Sequence, residues 1–381
     1  MEPPEFKVLH VSPRVQARGG IETLHDFHRA WPGPPEFVAL FDRNPVRRSG
    51  YANLDFTWRT PLWRMRRSFA RALARHPGSL VVYHNGWGLP LLHDLDRAAR
   101  RVVFLHADPA YHAADLPAFA GLVDGVIGVT PALREPVRSA LPGMTDERLT
   151  IVRAPVEVPA GCRAKPRAAE AGLVIGYAGR LERAEKRLDQ LPALVTALEK
   201  SGLDCRVELL GEGPLRPWLE RRLRGRVRFH GWVPKEEFWR IMSGWDALVM
   251  FSEHEGGPIA LLEGMALGLI PFYPARQGSW ADIYVPQVDP RCHYPPGDMS
   301  ALARAVGEVM RQPGEQLTAA RERARALIAG HRRENYEADG LGCLRRVGTL
   351  PRLSRDRPRR FRLTDCLPLG VVTRWAQAAL R

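Results

Sequence analysis

Two successive series of short apolar runs, each run separated from the next by a spacer of helix or loop length, constrain this 381-residue chain more than any other feature. The first series is Lys7 to Val11, Phe37 to Phe41, Leu80 to Tyr83, Val102 to Leu105 and Val126 to Val129. Such runs are too short for buried helices, and their Val, Leu and Phe content suits strands covered on both faces. A helical stretch at Ile21 to Trp31 follows a Pro- and Gly-containing loop, Ser12 to Gly20. Strands that alternate with helices pair in parallel through right-handed crossovers, so this half reads as one Rossmann-like unit.

The second series is Leu173 to Tyr177, Arg206 to Leu210, Val227 to Phe229, Ala247 to Phe251 and Ile270 to Tyr273. Helices are expected at Leu188 to Lys200, Pro214 to Arg224 and Glu236 to Met242, then from an Asp298 N-cap over Met299 to Arg311 and at Gln316 to Ile328. Pro155, Pro159, Gly161 and Pro166 break any regular element between the two series, as a linker would. The fold class is therefore α/β, with two Rossmann-like domains over residues 1–160 and 161–345 and a basic tail over 346–381. The tail is rich in Arg and Pro through Arg362, and Leu367 to Leu380 is a short amphipathic stretch around Trp375. Two readings apply to it: a terminal helix packed back on the first domain, or a foot on a membrane surface.

Hydrophobic residues make up 45% of the chain, enough for two real cores. Lys and Arg number 56 against 42 Asp and Glu, a net charge of +14, which attracts polyanions: nucleic acid, anionic headgroups or phosphorylated substrates. A merely solvated basic surface explains the charge equally well, because most of the excess is arginine. Cys162, Cys205, Cys292, Cys343 and Cys366 are widely spaced and form no metal-type or redox-type pair, which points to free thiols in a reducing compartment. Met1 to Lys7 lacks a signal-peptide pattern and no run reaches about 18 apolar residues, so a cytoplasmic location is expected.

The chemistry concentrates where strands of the second series end. Glu255-Gly256-Gly257-Pro258-Ile259 follows the strand Ala247 to Phe251 and opens an apolar helix that carries Glu263. Pro258 suits a first helical position, and a helix start at the carboxyl end of a parallel strand attracts phosphate. Glu255 would repel that phosphate, so it needs another partner, and sugar hydroxyls are the natural ones. Gly179-Arg180 follows the first strand of this half, with Lys186 six residues beyond Arg180. An arginine fork and a lysine ammonium can clamp a diphosphate with no metal present. Gly211-Glu212-Gly213-Pro214 lacks the complete dinucleotide fingerprint, so nicotinamide binding is unsupported.

Taken in order, Gly179-Arg180 with Lys186, Gly211-Glu212-Gly213-Pro214, Phe229-His230-Gly231-Trp232-Val233, Ser252 to Glu263 and Pro296-Gly297-Asp298 resemble the successive blocks of a retaining glycosyltransferase of family 4. Gly19-Gly20-Ile21-Glu22 resembles that family's donor-facing glycine loop, and His106 its active-site histidine. The resemblance spans most of residues 7 to 311 and implies a GT-B fold, two Rossmann-like domains facing each other across a cleft. It implies that Arg180 and Lys186 neutralise the diphosphate, Glu263 holds the ribose, Glu255 the transferred sugar, and Gly231 to Val233 border the base. It also places His106 over the sugar, and Gly256, Gly257 and Ile259 at the phosphate. His84 and Asn85, ending a strand of the first domain, are candidate acceptor contacts. Three departures stand out: Gly257 replaces an aromatic, Pro258 replaces a glycine and cannot donate a hydrogen bond, and Asp282 stands where glutamate is frequent.

The implied activity is a metal-independent, cofactor-free, retaining transfer of a hexose-like unit from a UDP- or GDP-linked sugar to an acceptor hydroxyl. The retaining family's usual account is front-face attack, with the leaving phosphate taking the acceptor's proton. Glycan or lipid-linked acceptors are expected, in cell-surface polysaccharide, lipopolysaccharide or glycolipid assembly, with possible attachment to the inner face of an anionic membrane. Asp94-Leu95-Asp96, the one match to the metal-holding Asp-x-Asp pattern, lies in an expected helix of the first domain and reads as surface charge. Two alternatives remain: a GT-B nucleotide-sugar epimerase, and a basic nucleic-acid-binding protein supported only by charge and the Arg355 to Arg362 segment. No helix-turn-helix, zinc spacing or RNP-like motif accompanies the charge, so no nucleic-acid partner is expected.

Overall fold

The computed structural model describes residues 7–14, 20–29, 36–41, 50–95, 100–163, 172–276, 278–354 and 363–370. Gly19, Asp96, Gln277, the Arg355 to Arg362 segment and residues 371–381 lie outside them. The chain divides into two compact units, Met1–Val152 with Glu334–Arg381, and Arg153–Arg333.

Among the described residues of the first unit, seven parallel strands form one sheet. They are β1 Val8–Ser12, β2 Glu36–Ala39, β3 Tyr51–Asn53, β4 Leu80–His84, β5 Arg100–Leu105, β6 Gly125–Gly128 and β7 Leu149–Ile151, in the order β3-β2-β1-β4-β5-β6-β7. All five residues of β1 and of β4 are buried, as strands covered on both faces must be. Strand order reverses between β1 and β4, so ligand-facing groups are expected at the carboxyl ends of those two strands.

The segment after Glu334 belongs to this unit because buried polar groups of the sheet end on it. Asp124 accepts hydrogen bonds from the backbone N–H groups of Leu353 and Ser354 at 2.7 and 2.8 Å. Arg148 donates to the carbonyl of Pro351 at 2.6 Å, and Arg100 to that of Val347 at 3.1 Å. The helix Arg333–Thr349 buries Tyr336, Leu344 and Val347 and runs through the boundary expected at residue 345.

In the second unit, β8 Leu173–Ala178, β9 Cys205–Leu210, β10 Val227–Gly231, β11 Ala247–Val249, β12 Ile270–Pro274 and β13 His293–Tyr294 form a six-stranded sheet, order β10-β9-β8-β11-β12-β13. It too is parallel and doubly wound, and its order reverses between β8 and β11. Asp298 caps the helix Met299–Met310 by accepting from Ala301 N at 2.8 Å, as its position in the sequence predicts.

Candidate functional site

The second unit gathers charge at the carboxyl ends of β8, β11 and β12. Gly179 to Arg187 leaves β8, Ser252 to Ile259 leaves β11, and Ala275 with Arg276 leaves β12. The first two loops are tied by Glu253 N donating to the Glu185 carbonyl at 2.7 Å. Gly211, after β9, has φ +132°, and a Cβ there would sit 1.9 Å from the Gly179 carbonyl oxygen. Glycine is therefore required for β9 and β8 to end side by side, so this glycine serves packing of the loops.

Lys186 and Glu255 meet across these loops: the ammonium lies 2.5 Å from Glu255 Oε1, which also accepts from Ser252 Oγ at 2.8 Å. Both side chains of the pair are mostly buried. Arg180, half-exposed, pairs with Glu182 at 2.9 Å and with Glu185 at 2.5 Å. Arg187 and Arg276 hold the two oxygens of Glu253, at 2.8 and 2.6 Å. Arg187 also lies 3.8 Å from Asp189, so four cations face five carboxylates. The cluster carries no excess of positive charge, and an anion would enter it by replacing carboxylate partners.

Glu263 is buried in the helix Ile259–Leu267 and accepts a hydrogen bond from Lys235, whose ammonium rests 4.4 Å from the Phe238 ring and 4.5 Å from the Trp239 ring. Burial raises the Glu263 carboxyl above its ordinary value, and Lys235 opposes that rise. The helix begins after Pro258, with no side chain capping its first turn, so Gly256, Gly257 and Ile259 flank the helix start named in the sequence. Gly231 ends β10 with φ +74°; a Cβ there would meet Glu212 Oε1 at 2.8 Å, and half-exposed Trp232 and Val233 follow it toward the helix Lys235–Met242.

Asp282 organises the loop after β12. It accepts from the backbone N–H groups of Arg276, Gly278 and Ser279 at 3.1, 3.0 and 2.9 Å, and lies 3.0 Å from His293. Burial alone would raise its carboxyl, but these hydrogen bonds outweigh it and hold Asp282 well below the carboxylate range. The shorter aspartate is thus fully employed where the family resemblance leads one to expect glutamate.

In the first unit, His106 follows β5 and His84 ends β4. The His106 N–H donates to Asn85 Oδ1 at 2.8 Å, and Ala107 N donates to His112 Nε2 at 3.3 Å, so the backbone is pinned on both sides of the ring. Asn85 itself has φ +51°, a conformation asparagine tolerates better than most residues. His84 is fully buried, with Nδ1 2.7 Å from His106 Nε2 and Nε2 2.8 Å from His10 Nδ1. Both nitrogens of His84, the candidate acceptor contact, are engaged by other imidazoles. Asn85 likewise spends its side-chain carbonyl on the His106 backbone. Gly20 opens the helix Gly20–Arg29, and His25 and His28, farther along it, are buried.

Two doubly wound parallel sheets of these strand orders define the GT-B fold of glycosyltransferases. Solved structures share it: Anabaena Alr3699/HepE in complex with UDP and glucose (TM-score 0.68, 15% identity, 89% of this chain and 99% of that one) and the lipopolysaccharide outer core galactosyltransferase WaaB (TM-score 0.62, 16% identity, 89% and 99%). Residues 162–327 match the family model described as glycosyl transferases group 1. In sequence, the chain is 30% identical over 237 residues to a 2-deoxystreptamine glucosyltransferase of Streptomyces kanamyceticus, a stretch that covers 60% of this chain and 57% of that relative. The chain thus aligns to just over half of that curated relative's length.

Proposed function

We propose that this chain transfers a hexose-like unit from a nucleotide diphosphate sugar to an acceptor hydroxyl, with retention at the anomeric carbon and no metal requirement. The observation that carries the reading is the Lys186–Glu255 contact at 2.5 Å. Lys186 is the cation assigned to the donor phosphates, and Glu255 the carboxylate assigned to the sugar. They come from loops 69 residues apart and meet side by side, as neighbouring groups of one nucleotide sugar require. The family match over residues 162–327 supports a donor site in this unit.

On this reading the donor's diphosphate takes over Lys186 and Arg180, and Glu255, released from Lys186, accepts hydrogen bonds from sugar hydroxyls. As the bond from the anomeric carbon to the phosphate oxygen breaks, charge develops on the leaving diphosphate, and the two cations stabilise it. The leaving phosphate oxygen accepts the acceptor's proton, so no protein carboxylate need serve as the base. Glu263 exchanges Lys235 for the ribose hydroxyls. His106 takes part in the same reaction through hydroxyls of the transferred sugar.

The acceptor is assigned to a glycan or lipid-linked hydroxyl, and the +14 charge supports work beside an anionic surface. Among the described residues, no helix is long and apolar enough to cross a membrane. The test is product analysis with UDP- and GDP-sugars against polar aminocyclitol, oligosaccharide and lipid-linked acceptors, with EDTA present. Transfer with retained configuration, unaffected by EDTA, supports the proposal. An inverted product or a strict metal requirement removes that part of it, and a free epimer formed without acceptor would establish the epimerase instead.

A further inference from the structure

The first unit contains a row of histidines of which the transfer reaction as described uses only His106. Parallel register explains how they meet. His10 on β1 lies opposite Val82 on β4, and His84 stands two residues beyond Val82 on the same face. His84 lies opposite Phe104 on β5, and His106 stands two residues beyond Phe104. The three imidazoles therefore step diagonally across adjacent strands toward the carboxyl ends.

Their rings are joined end to end. The His10 and His84 centroids are 5.1 Å apart with nitrogens at 2.8 Å, and those of His84 and His106 are 5.0 Å apart with nitrogens at 2.7 Å. Each centroid separation is close to the N···N distance plus two ring radii, so every bond runs along the ring planes, where nitrogen lone pairs and N–H groups point. The terminal nitrogen of the row, His106 Nδ1, is itself buried and has no hydrogen-bond partner among the described residues.

We propose that His10 and His84 are positioning residues that set which nitrogen of His106 carries its proton, and hence whether His106 Nδ1 offers a proton or a lone pair to a sugar hydroxyl. A neutral imidazole has one N–H and one lone pair, so the row has two self-consistent proton arrangements. In one, His10 Nδ1–H donates to His84 Nε2, His84 Nδ1–H donates to His106 Nε2, and His106 Nδ1–H is left as a donor. In the other every proton sits on the opposite nitrogen: His106 Nε2–H donates to His84, His84 Nε2–H donates to His10, and His106 Nδ1 is an acceptor. No net charge enters the row in either case. The role at the sugar rests on the proposed transfer reaction; the coupling between the rings does not.

Burial, reinforced by the other imidazoles, holds His10, His84 and His106 well below the ordinary histidine value, which keeps the row neutral near pH 7. His28 packs 4.8 Å from the His10 ring and lies 2.5 Å from the Tyr336 hydroxyl, closing the dry end. His10, His28 and His84 also bring ring nitrogens within 4.8 Å of one another, as a three-histidine metal centre would. The in-line bonding speaks against that use, since the facing nitrogens of His10 and His84 point at each other, an N–H against a lone pair, rather than at a third point.

The test uses the full chain labelled with ¹⁵N at histidine. Long-range ¹H–¹⁵N spectra report the tautomer of each ring, and loss of signals in His106→Gln identifies His106. The proposal expects one neutral tautomer of His106 in the wild type and in His10→Asn, whose amide replaces Nδ1. It expects a changed or mixed tautomer in His10→Leu, or in His10→Gln should the leucine variant fold poorly. It further expects His10→Leu to lower kcat about tenfold, the scale of one hydrogen bond, with donor KM unchanged and no further loss in a His106→Gln background. Identical His106 spectra in wild type and His10→Leu overturn the proposal, even if transfer is confirmed by other variants. Stoichiometric zinc in protein purified without chelator also overturns it in favour of a metal centre. The spectra need no substrate, so a failed transfer assay leaves this result standing.

Discussion

The two units solve the problem of buried polar chemistry in opposite ways. The first packs His10, His28 and His84 into full burial as neutral rings, and the second leaves Arg180, Arg187, Glu185 and Glu253 partly wetted in ion pairs. A neutral network survives in a dry core because a neutral imidazole can give one hydrogen bond and take another, as His84 does, and burial penalises only its charged form. Ion pairs at a wetted rim contribute little net stability, which is why they can change partners when a ligand arrives. Unit 1 thus holds its polar groups in a fixed dry geometry, whereas the ion pairs of unit 2 are open enough to change partners.

The largest way to break that comparison is acid. His10, His28 and His84 have folded values well below the unfolded one, about 6.5, so their contribution is fully present above pH 6.5 and lost as pH falls below it. Only the unfolded state takes up protons in that window, and each histidine costs about 1.4 kcal/mol per pH unit. His112 and His331, both pushed down to about 4, add to the loss, but His331 is the one member in unit 2 with such a shift. Asp282, also in unit 2 and held low, loses its contribution only as pH falls below about 4. Hydrogen exchange between pH 7 and 5 should therefore show unit 1 losing protection well before unit 2. Equal loss in both units would break the contrast.

Next in size, Lys186→Ala should lower kcat by roughly 10²-fold or more, the scale of one charge-stabilising donor in a transition state. Its melting temperature should change little, because Glu255 keeps Ser252 as a partner. Glu263→Gln should act on binding instead, raising donor KM about tenfold, as loss of a charged hydrogen-bond partner does. If it destabilises the fold by several kcal/mol and leaves KM alone, Glu263 is a core partner of Lys235 and nothing more. Smallest of all, Arg180→Ala should move stability by no more than about 1 kcal/mol, because the guanidinium itself is half-exposed in both its ion pairs. Its effect on donor affinity should exceed that, which chemical denaturation and calorimetry together would establish.

Long apolar strands were legible because burial on both faces leaves a continuous signature, and their carboxyl ends led directly to Arg180, Lys186, Glu255 and Glu263. The short strands β3, β7 and β13 were not legible: Tyr51–Asn53 is half-buried throughout, and His293–Tyr294 has two residues. The helix Arg333–Thr349 escaped because polar residues interrupt its buried positions, two of which are the small Gly340 and Cys343. The pairing of Glu182, Glu185, Glu253, Arg187 and Arg276 went unread, since pairing between distant loops leaves no local pattern. The histidine row was the largest omission. One trace was present: His25 and His28 stand three apart on a helix, facing the side that must cover buried His10. Joining His10, His84 and His106 needed the strand register, which spacing alone does not contain.

In the proposed reaction, unit 2 exchanges carboxylates for a diphosphate. Calorimetric titration of the full chain with UDP, GDP and the corresponding nucleosides, in wild type and Lys186→Ala, tests this most directly. One diphosphate should bind far more tightly than its nucleoside, and the lysine variant should lose most of that advantage. Equal affinity for nucleoside and diphosphate, or an advantage undiminished in Lys186→Ala, would contradict it.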